Sequence, residues 1–235
     1  MKRNVIALLF VALVASITSK VEAQNFQLLY DSERGCATTT FEMFRPDAFG
    51  STFCFVDMDF SPRASLAYTE IAREFCFWQD TEWSWLSIHA EFNGGFELVN
   101  TPYENSWLFG LTYSGHSDDF LKTWSFSAMY KAIPGVIGLD GKEDPHNFQL
   151  TGVWGINFAD GWCTFCGFAD FWRQAFVWQG TEYVFMAVPQ FWVNLNKIEG
   201  WDNVNLSLGG EVEFSNNFVA KGFMVQPALG AKWTF

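Results

Sequence analysis

The chain has 235 residues and a formal net charge of -12, with 14 Lys and Arg against 26 Asp and Glu. It holds 27 Phe, 12 Trp and 6 Tyr, so aromatics reach 19% while charged residues reach only 17%. Such an aromatic-rich, charge-poor chain is not disordered, and its acidity excludes a phosphate-neutralising nucleic-acid binder.

At the start, Lys2 and Arg3 precede an apolar stretch from Val5 to Ile17 that is too short to cross a bilayer as a helix. Val21-Glu22-Ala23 then gives a small-residue cleavage pattern. The sequence predicts a secretory signal peptide over 1–23 and a mature domain over 24–235. Cleavage removes Lys2, Arg3, Lys20 and Glu22, leaving 11 basic and 25 acidic residues and a charge of -14.

Beyond the leader no run of 18 apolar residues occurs, so no transmembrane helix is predicted. Alternation with a period of two dominates instead. Trp124, Phe126 and Tyr130 alternate with Ser125, Ser127 and Lys131. Phe148, Leu150, Trp154, Ile156 and Phe158 alternate with Gln149, Thr151 and Asn157. Val204, Leu206, Leu208, Val212 and Phe214 alternate with Asn205, Ser207, Glu211 and Glu213. In the last segment Phe223, Val225, Leu229, Ala231, Trp233 and Phe235 share one face, opposite Met224, Gln226, Gly230, Lys232 and Thr234. Each reads as a strand with one apolar and one polar face. In chain order, strands are predicted near 25–31, 36–45, 50–60, 64–75, 83–93, 105–114, 123–132, 146–158, 161–173, 182–195, 203–215 and 222–235.

Twelve strands of about nine to eleven residues suit an antiparallel transmembrane β-barrel, all-β, with lipid outside and a polar lumen inside. Trp83, Trp107, Trp124, Phe158, Trp162, Trp201 and Trp233 fall at strand ends, where interfacial girdles sit. With both termini in the periplasm, long outer loops and short inner turns are expected. The Ala159-Asp160-Gly161 link suits an inner turn, and the links near 94–104 and 133–145 suit the outside. The inner links near 76–82 and 115–122 are not tight. A soluble sandwich or lipocalin-like barrel is the alternative.

Several segments carry a family resemblance: Phe41-Glu42-Met43-Phe44-Arg45-Pro46-Asp47, Phe55-Val56-Asp57-Met58-Asp59, Glu91-Phe92-Asn93-Gly94-Gly95, Phe148-Gln149-Leu150-Thr151-Gly152-Val153-Trp154, Gly167-Phe168-Ala169-Asp170-Phe171-Trp172-Arg173, and Gly230-Ala231-Lys232-Trp233-Thr234-Phe235. On these the chain resembles an uncharacterised branch of the Tsx-like superfamily of nucleoside-specific outer-membrane channels. The resemblance implies a twelve-stranded monomeric barrel in the outer membrane of a Gram-negative bacterium. It further implies passage of small polar solutes, nucleosides among them; separately, no cofactor or metal is expected. The terminal strand ending in Phe235 is similar to the signal read by the barrel assembly machinery; Ala228 departs from the polar residue expected there.

With the apolar face turned to lipid, Glu42, Asp57, Asp59, Glu70, Glu91, Asp170, Glu211 and Glu213 face the lumen, against Lys131, Lys232 and His89. Phe53, Phe55, Tyr68, Trp85, Phe168, Trp172 and Trp192 are also expected inward, with Gln190 beside them. Aromatic faces can stack a flat solute at ~1–3 kcal/mol per base, and carboxylates or amides can bond its hydroxyls. The plainer roles are bracing by paired charges and filling of a modest lumen by rings. A plugged scaffold or receptor is one alternative function.

A barrel lipid-modifying enzyme is another. His116 and His146 fall in predicted links, and His89 has no serine two residues on, so the Ser–His pattern of barrel lipases is not met. Cys163-Thr164-Phe165-Cys166 looks like a redox or zinc motif. On a strand, however, a three-residue separation puts the two thiols ~10 Å apart on opposite faces. Five cysteines leave at least one unpaired within the chain.

Overall fold

The computed structural model describes residues 24–61, 63–97 and 105–235. The predicted signal peptide, 1–23, lies outside the described residues. Twelve strands follow in order: β1 (Gln24–Asp31), β2 (Cys36–Asp47), β3 (Gly50–Phe60), β4 (Ala64–Phe75), β5 (Leu86–Glu97) and β6 (Ser106–His116). Then come β7 (Lys122–Ala132), β8 (His146–Phe158), β9 (Cys163–Phe176), β10 (Thr181–Asn194), β11 (Leu206–Asn216) and β12 (Phe223–Thr234). Every strand pairs antiparallel with its chain neighbours, and β1 also pairs with β12, so the sheet closes on itself. The closing seam matches Asn25 with Thr234 and Leu29 with Gly230. Phe235 extends it, its N–H donating to the Gln24 carbonyl at 2.9 Å.

Alternation sets the two faces. On β1, Asn25, Gln27, Leu29 and Asp31 are buried while Phe26, Leu28 and Tyr30 are exposed. Paired residues share a face, so the pattern propagates around the sheet: Gln27 to Thr40, Thr40 to Asp57, Asp57 to Tyr68. The result inverts a water-soluble fold. Ile71, Phe109, Leu111, Phe126, Val225 and Leu229 point outward and exposed, Leu229 at 75%. A continuous belt of this kind far exceeds the few hundred Å² that soluble monomers show, and only lipid accommodates it. All seven aromatics predicted at strand ends, Trp83, Trp107, Trp124, Phe158, Trp162, Trp201 and Trp233, are exposed.

The connections depart from the expected order. At the end bearing the termini lie the links 48–49, 76–85, 117–121, 159–162 and 195–205. The opposite end carries 32–35, 133–145, 177–180 and 217–222; most of the link predicted near 94–104 lies outside the described residues, and 94–97 belong to β5. Long links therefore occur at both ends. The 76–85 link holds its own shape: the Trp78 indole N–H lies 3.0 Å from the Trp83 carbonyl and 2.9 Å from that of Leu86. Its turns delay β5 to Leu86, three residues beyond the predicted start. The Asp-Gly link is a four-residue turn in which Ala159, Asp160 and Gly161 all take positive φ (52°, 54° and 84°), a conformation glycine adopts without strain.

Candidate functional site: the lumen wall

Strand pairing brings the expected inward residues onto one inner surface. Phe53, Phe55, Asp57 and Asp59 line β3, and Tyr68 and Glu70 line β4 beside them. His89 and Glu91 follow on β5; Phe168, Asp170 and Trp172 lie on β9 opposite Val188, Met186 and Val184. Gln190 and Trp192 lie on β10, and Glu211 and Glu213 on β11. Trp85 is the correction. It lies in the 76–85 link, exposed, with its ring 5.4 Å from Trp83 and 5.6 Å from Tyr113. Tyr113 points to lipid, so Trp85 belongs to the girdle. The alternation that put it inward fails because the chain is still turning there.

Three polar clusters occupy the inner wall. In the first, Arg34 reaches from the β1–β2 turn to Asp31 (2.6 Å) and Asp59 (3.3 Å), and the Thr38 hydroxyl donates to Asp59 at 2.5 Å. Sequence reasoning missed Arg34, because a turn residue has no face to read. Asp57 lies next to this cluster and accepts from Thr40 at 2.5 Å.

In the second, His89 lies between two carboxylates, Nδ1 at 2.6 Å from Glu74 and Nε2 at 3.1 Å from Glu91. Thr112 donates to Glu74 at 2.9 Å, and Ser87 also bonds it. Glu74 was absent from the expected set, although its even spacing from Glu70 on the same strand was a readable signal.

The third centres on Lys131, whose ammonium donates to Gln149 at 2.7 Å. The Gln149 amide donates to Thr151 at 3.1 Å, and Thr151 donates to Asp170 at 2.6 Å. The charges of Glu70, Glu91 and Asp170 act on one another and on Lys131 across the lumen.

Among the described residues, Asp31, Glu42, Asp57, Asp59, Glu70, Glu74, Glu91, Asp170, Glu211 and Glu213 face inward. Lys131, Lys232, His89 and Arg34 oppose them. The wall is therefore strongly acidic. Rings interleave with the acids: Phe53, Phe55 and Tyr68 form a ladder with centroids 5.9 Å apart at each step, and Tyr68 donates to Glu70 at 2.7 Å. All five cysteines are free. Cys166 faces inward near Gln190, and Cys163 faces the other way.

Outside the strands, the 133–145 link is fastened to the barrel. Arg173 lies 2.5 Å from Asp144, 3.3 Å from Glu182 and 3.0 Å from the Asn147 oxygen. The Arg173 hydrogen bond holds the Asp144 carboxyl below its ordinary value.

A closed twelve-stranded barrel with an apolar outer belt and a charged interior is an outer-membrane β-barrel of the Gram-negative type. The chain belongs to the family described as a domain of unknown function, DUF5020, whose model matches residues 23–235. No curated protein matches it by sequence. Among solved structures it is similar to the NanC porin, at 8% identity and a TM-score of 0.58, over 91% of this chain and 99% of that one. It also aligns with the outer-membrane protein Omp33 of Acinetobacter baumannii, at 12% identity and a TM-score of 0.41, over 90% and 96% of the two chains.

Proposed function

We propose that the barrel is a channel for passive uptake of small polar solutes, favouring cations over anions. The carrying observation is the inner wall, where among the described residues ten carboxylates on seven strands face two lysines, His89 and Arg34. Buried charge in such excess is tolerable only beside water, and rings of acidic side chains are how cation pores select. The fold shared with a porin supports the same reading. Phe53, Phe55, Tyr68, Phe168, Trp172 and Trp192 supply flat faces along the path, with Asp57, Asp59, Glu70, His89, Glu91, Asp170, Gln190, Glu211 and Glu213 as polar partners. This suits planar solutes such as nucleosides, the class implied by the Tsx-like resemblance. The protein acts as a monomer in lipid and reaches the membrane through assembly machinery that reads its last strand.

A second reading, a barrel that does not conduct, draws on the complete burial of Leu108, Val184 and Trp192 on the inner face. Liposomes containing the purified barrel separate the two when offered nucleosides, sugars and amino acids. Uptake above that of empty liposomes is expected; its absence for every solute leaves the scaffold. Asp57→Asn with Asp59→Asn lowers the cation preference in a salt gradient, and an unchanged reversal potential removes these two from the path.

A further inference from the structure

Two lysines on the inner wall each rest on an indole. Lys131 Nζ lies 4.9 Å from the centre of the Trp172 ring, and Lys232 Nζ lies 4.4 Å from that of Trp192. Both indoles are held the same way. Trp172 donates its N–H to Gln174 at 3.1 Å, and Trp192 donates to Gln190 at 3.0 Å, each glutamine two residues away on the same strand. Both ammonium groups have carboxylates acting on them: Glu70, Glu91 and Asp170 for Lys131, and Glu42 for Lys232.

The Lys232 place also holds a buried acceptor with no donor among the described residues. Gln27 Oε1, on a residue 1% exposed, belongs to the strand partner of Lys232. A buried carbonyl oxygen left without a donor is costly, and an ammonium carries three donors.

The two places lie toward opposite ends of the lumen. Lys131 is one residue from the end of β7, and Lys232 is two residues from the end of β12. β7 ends away from the termini and β12 ends among them, so a solute crossing the barrel meets one place and then the other.

We infer that Lys131 on Trp172 and Lys232 on Trp192 mark two ammonium-binding sites in series, and that the solutes recognised are small molecules bearing an ammonium group. Aromatic face, carboxylates and amide oxygen together match a primary ammonium: the face takes its partly dehydrated charge, the acids its field, the amide a proton. The tethered lysines are resident occupants held at high effective concentration. They keep each site from binding a passing amine too tightly to release it, as conduction requires. The inference rests on the channel reading, and its test separates the two.

The test is a saturation-transfer NMR titration of the purified barrel with butylammonium, using butyrate as the anionic control. Saturable binding of butylammonium alone is expected. Lys131→Met and Lys232→Met each tighten it about threefold to tenfold, the range of one cation–π contact; Lys131→Arg, which keeps a cation over the ring, gives no gain. Adding Trp172→Leu to Lys131→Met abolishes the gain. If the gain survives that change, it reflects only the altered field, and the site is overturned. Equal binding of butyrate, or no saturable binding, overturns it as well. Should a methionine variant fail to give the heat-modifiable folded band, Gln27→Ala at the Lys232 place replaces it. It is expected to weaken binding about threefold, and unchanged binding counts against the site. Conductance in planar bilayers is measured alongside. A barrel that binds butylammonium and passes no current keeps the sites and loses the channel; a conducting barrel without saturable binding does the reverse.

Discussion

The two lysine–tryptophan pairs use one local device in different surroundings. Around Lys131 the surroundings are electrostatic: three carboxylates act on it, and Gln149 accepts from it at 2.7 Å. Around Lys232 they are steric. Trp192 is 0% exposed and clusters with Leu29 and Ala228. The register row runs from Trp192 through Gly209 and Gly230 to Leu29. The two glycines let the neighbouring backbones approach closely in this row. A Cβ at Gly209 would come within 1.9 Å of the Phe191 carbonyl oxygen, and one at Gly230 within 2.0 Å of that of Leu28. Trp172 instead meets the ring of Phe218, 5.7 Å away in the β11–β12 link, whose backbone oxygen accepts from Gln179 at 3.0 Å. One pair is thus set into packed wall, while the other sits under a loop. The same contact can be held by shape or by charge, and substitutions should tell the two apart.

The largest expected effect is on packing. Trp192→Ala destabilises the barrel by about 3–5 kcal/mol, the range for removing a buried aromatic, and Trp172→Ala by clearly less because its loop-side neighbour can resettle. Urea midpoints of the heat-modifiable band in lipid vesicles measure both; equal losses would erase the contrast. The next effect is on selectivity. Asp170→Asn lowers the cation-to-anion permeability ratio roughly twofold or more, since its charge acts in a partly desolvated space, whereas Glu42→Gln changes it less. A larger change from Glu42→Gln would place the stronger field at the other end.

The smallest effect concerns the loop above the Lys131 end. Asp144 has a lowered pKa because Arg173 bonds its carboxylate, so that contact is complete at neutral pH. It is lost as pH falls through the lowered value, below the ordinary carboxylate range near 4. Both side chains are partly exposed, so the contribution is at most ~1 kcal/mol. Hydrogen exchange over 133–145, corrected for its intrinsic pH dependence, should be flat from pH 7 to 5. At pH 7 Asp144→Asn should speed it a few-fold; no change would show that the loop is held by other contacts.

Much of the wall was legible in the sequence. Asp57 and Asp59, Phe168 and Asp170, and Glu211 and Glu213 sit two residues apart on strands, and a period of two assigns such pairs to a single face whatever the neighbours are. Trp85 failed because its segment turns on the hydrogen bonds of Trp78 before the strand begins. Arg34 was invisible because its reach to Asp59 spans 25 residues and depends on β3 lying beside β2. Glu74 was readable from its strand, but its contact with His89 depends on the β4–β5 register.

By itself the sequence determined the strands, their two faces, the apolar belt and the acidic sign of the interior, because these follow from side-chain alternation along single extended segments. Only the tertiary structure decided which side chains meet. Closure of β1 on β12 and the registers between neighbours set Lys232 over Trp192, Lys131 over Trp172 and His89 between Glu74 and Glu91. A lysine's alternation says that it points inward; which ring or acid it finds there depends on the strands that closure and register place within its reach.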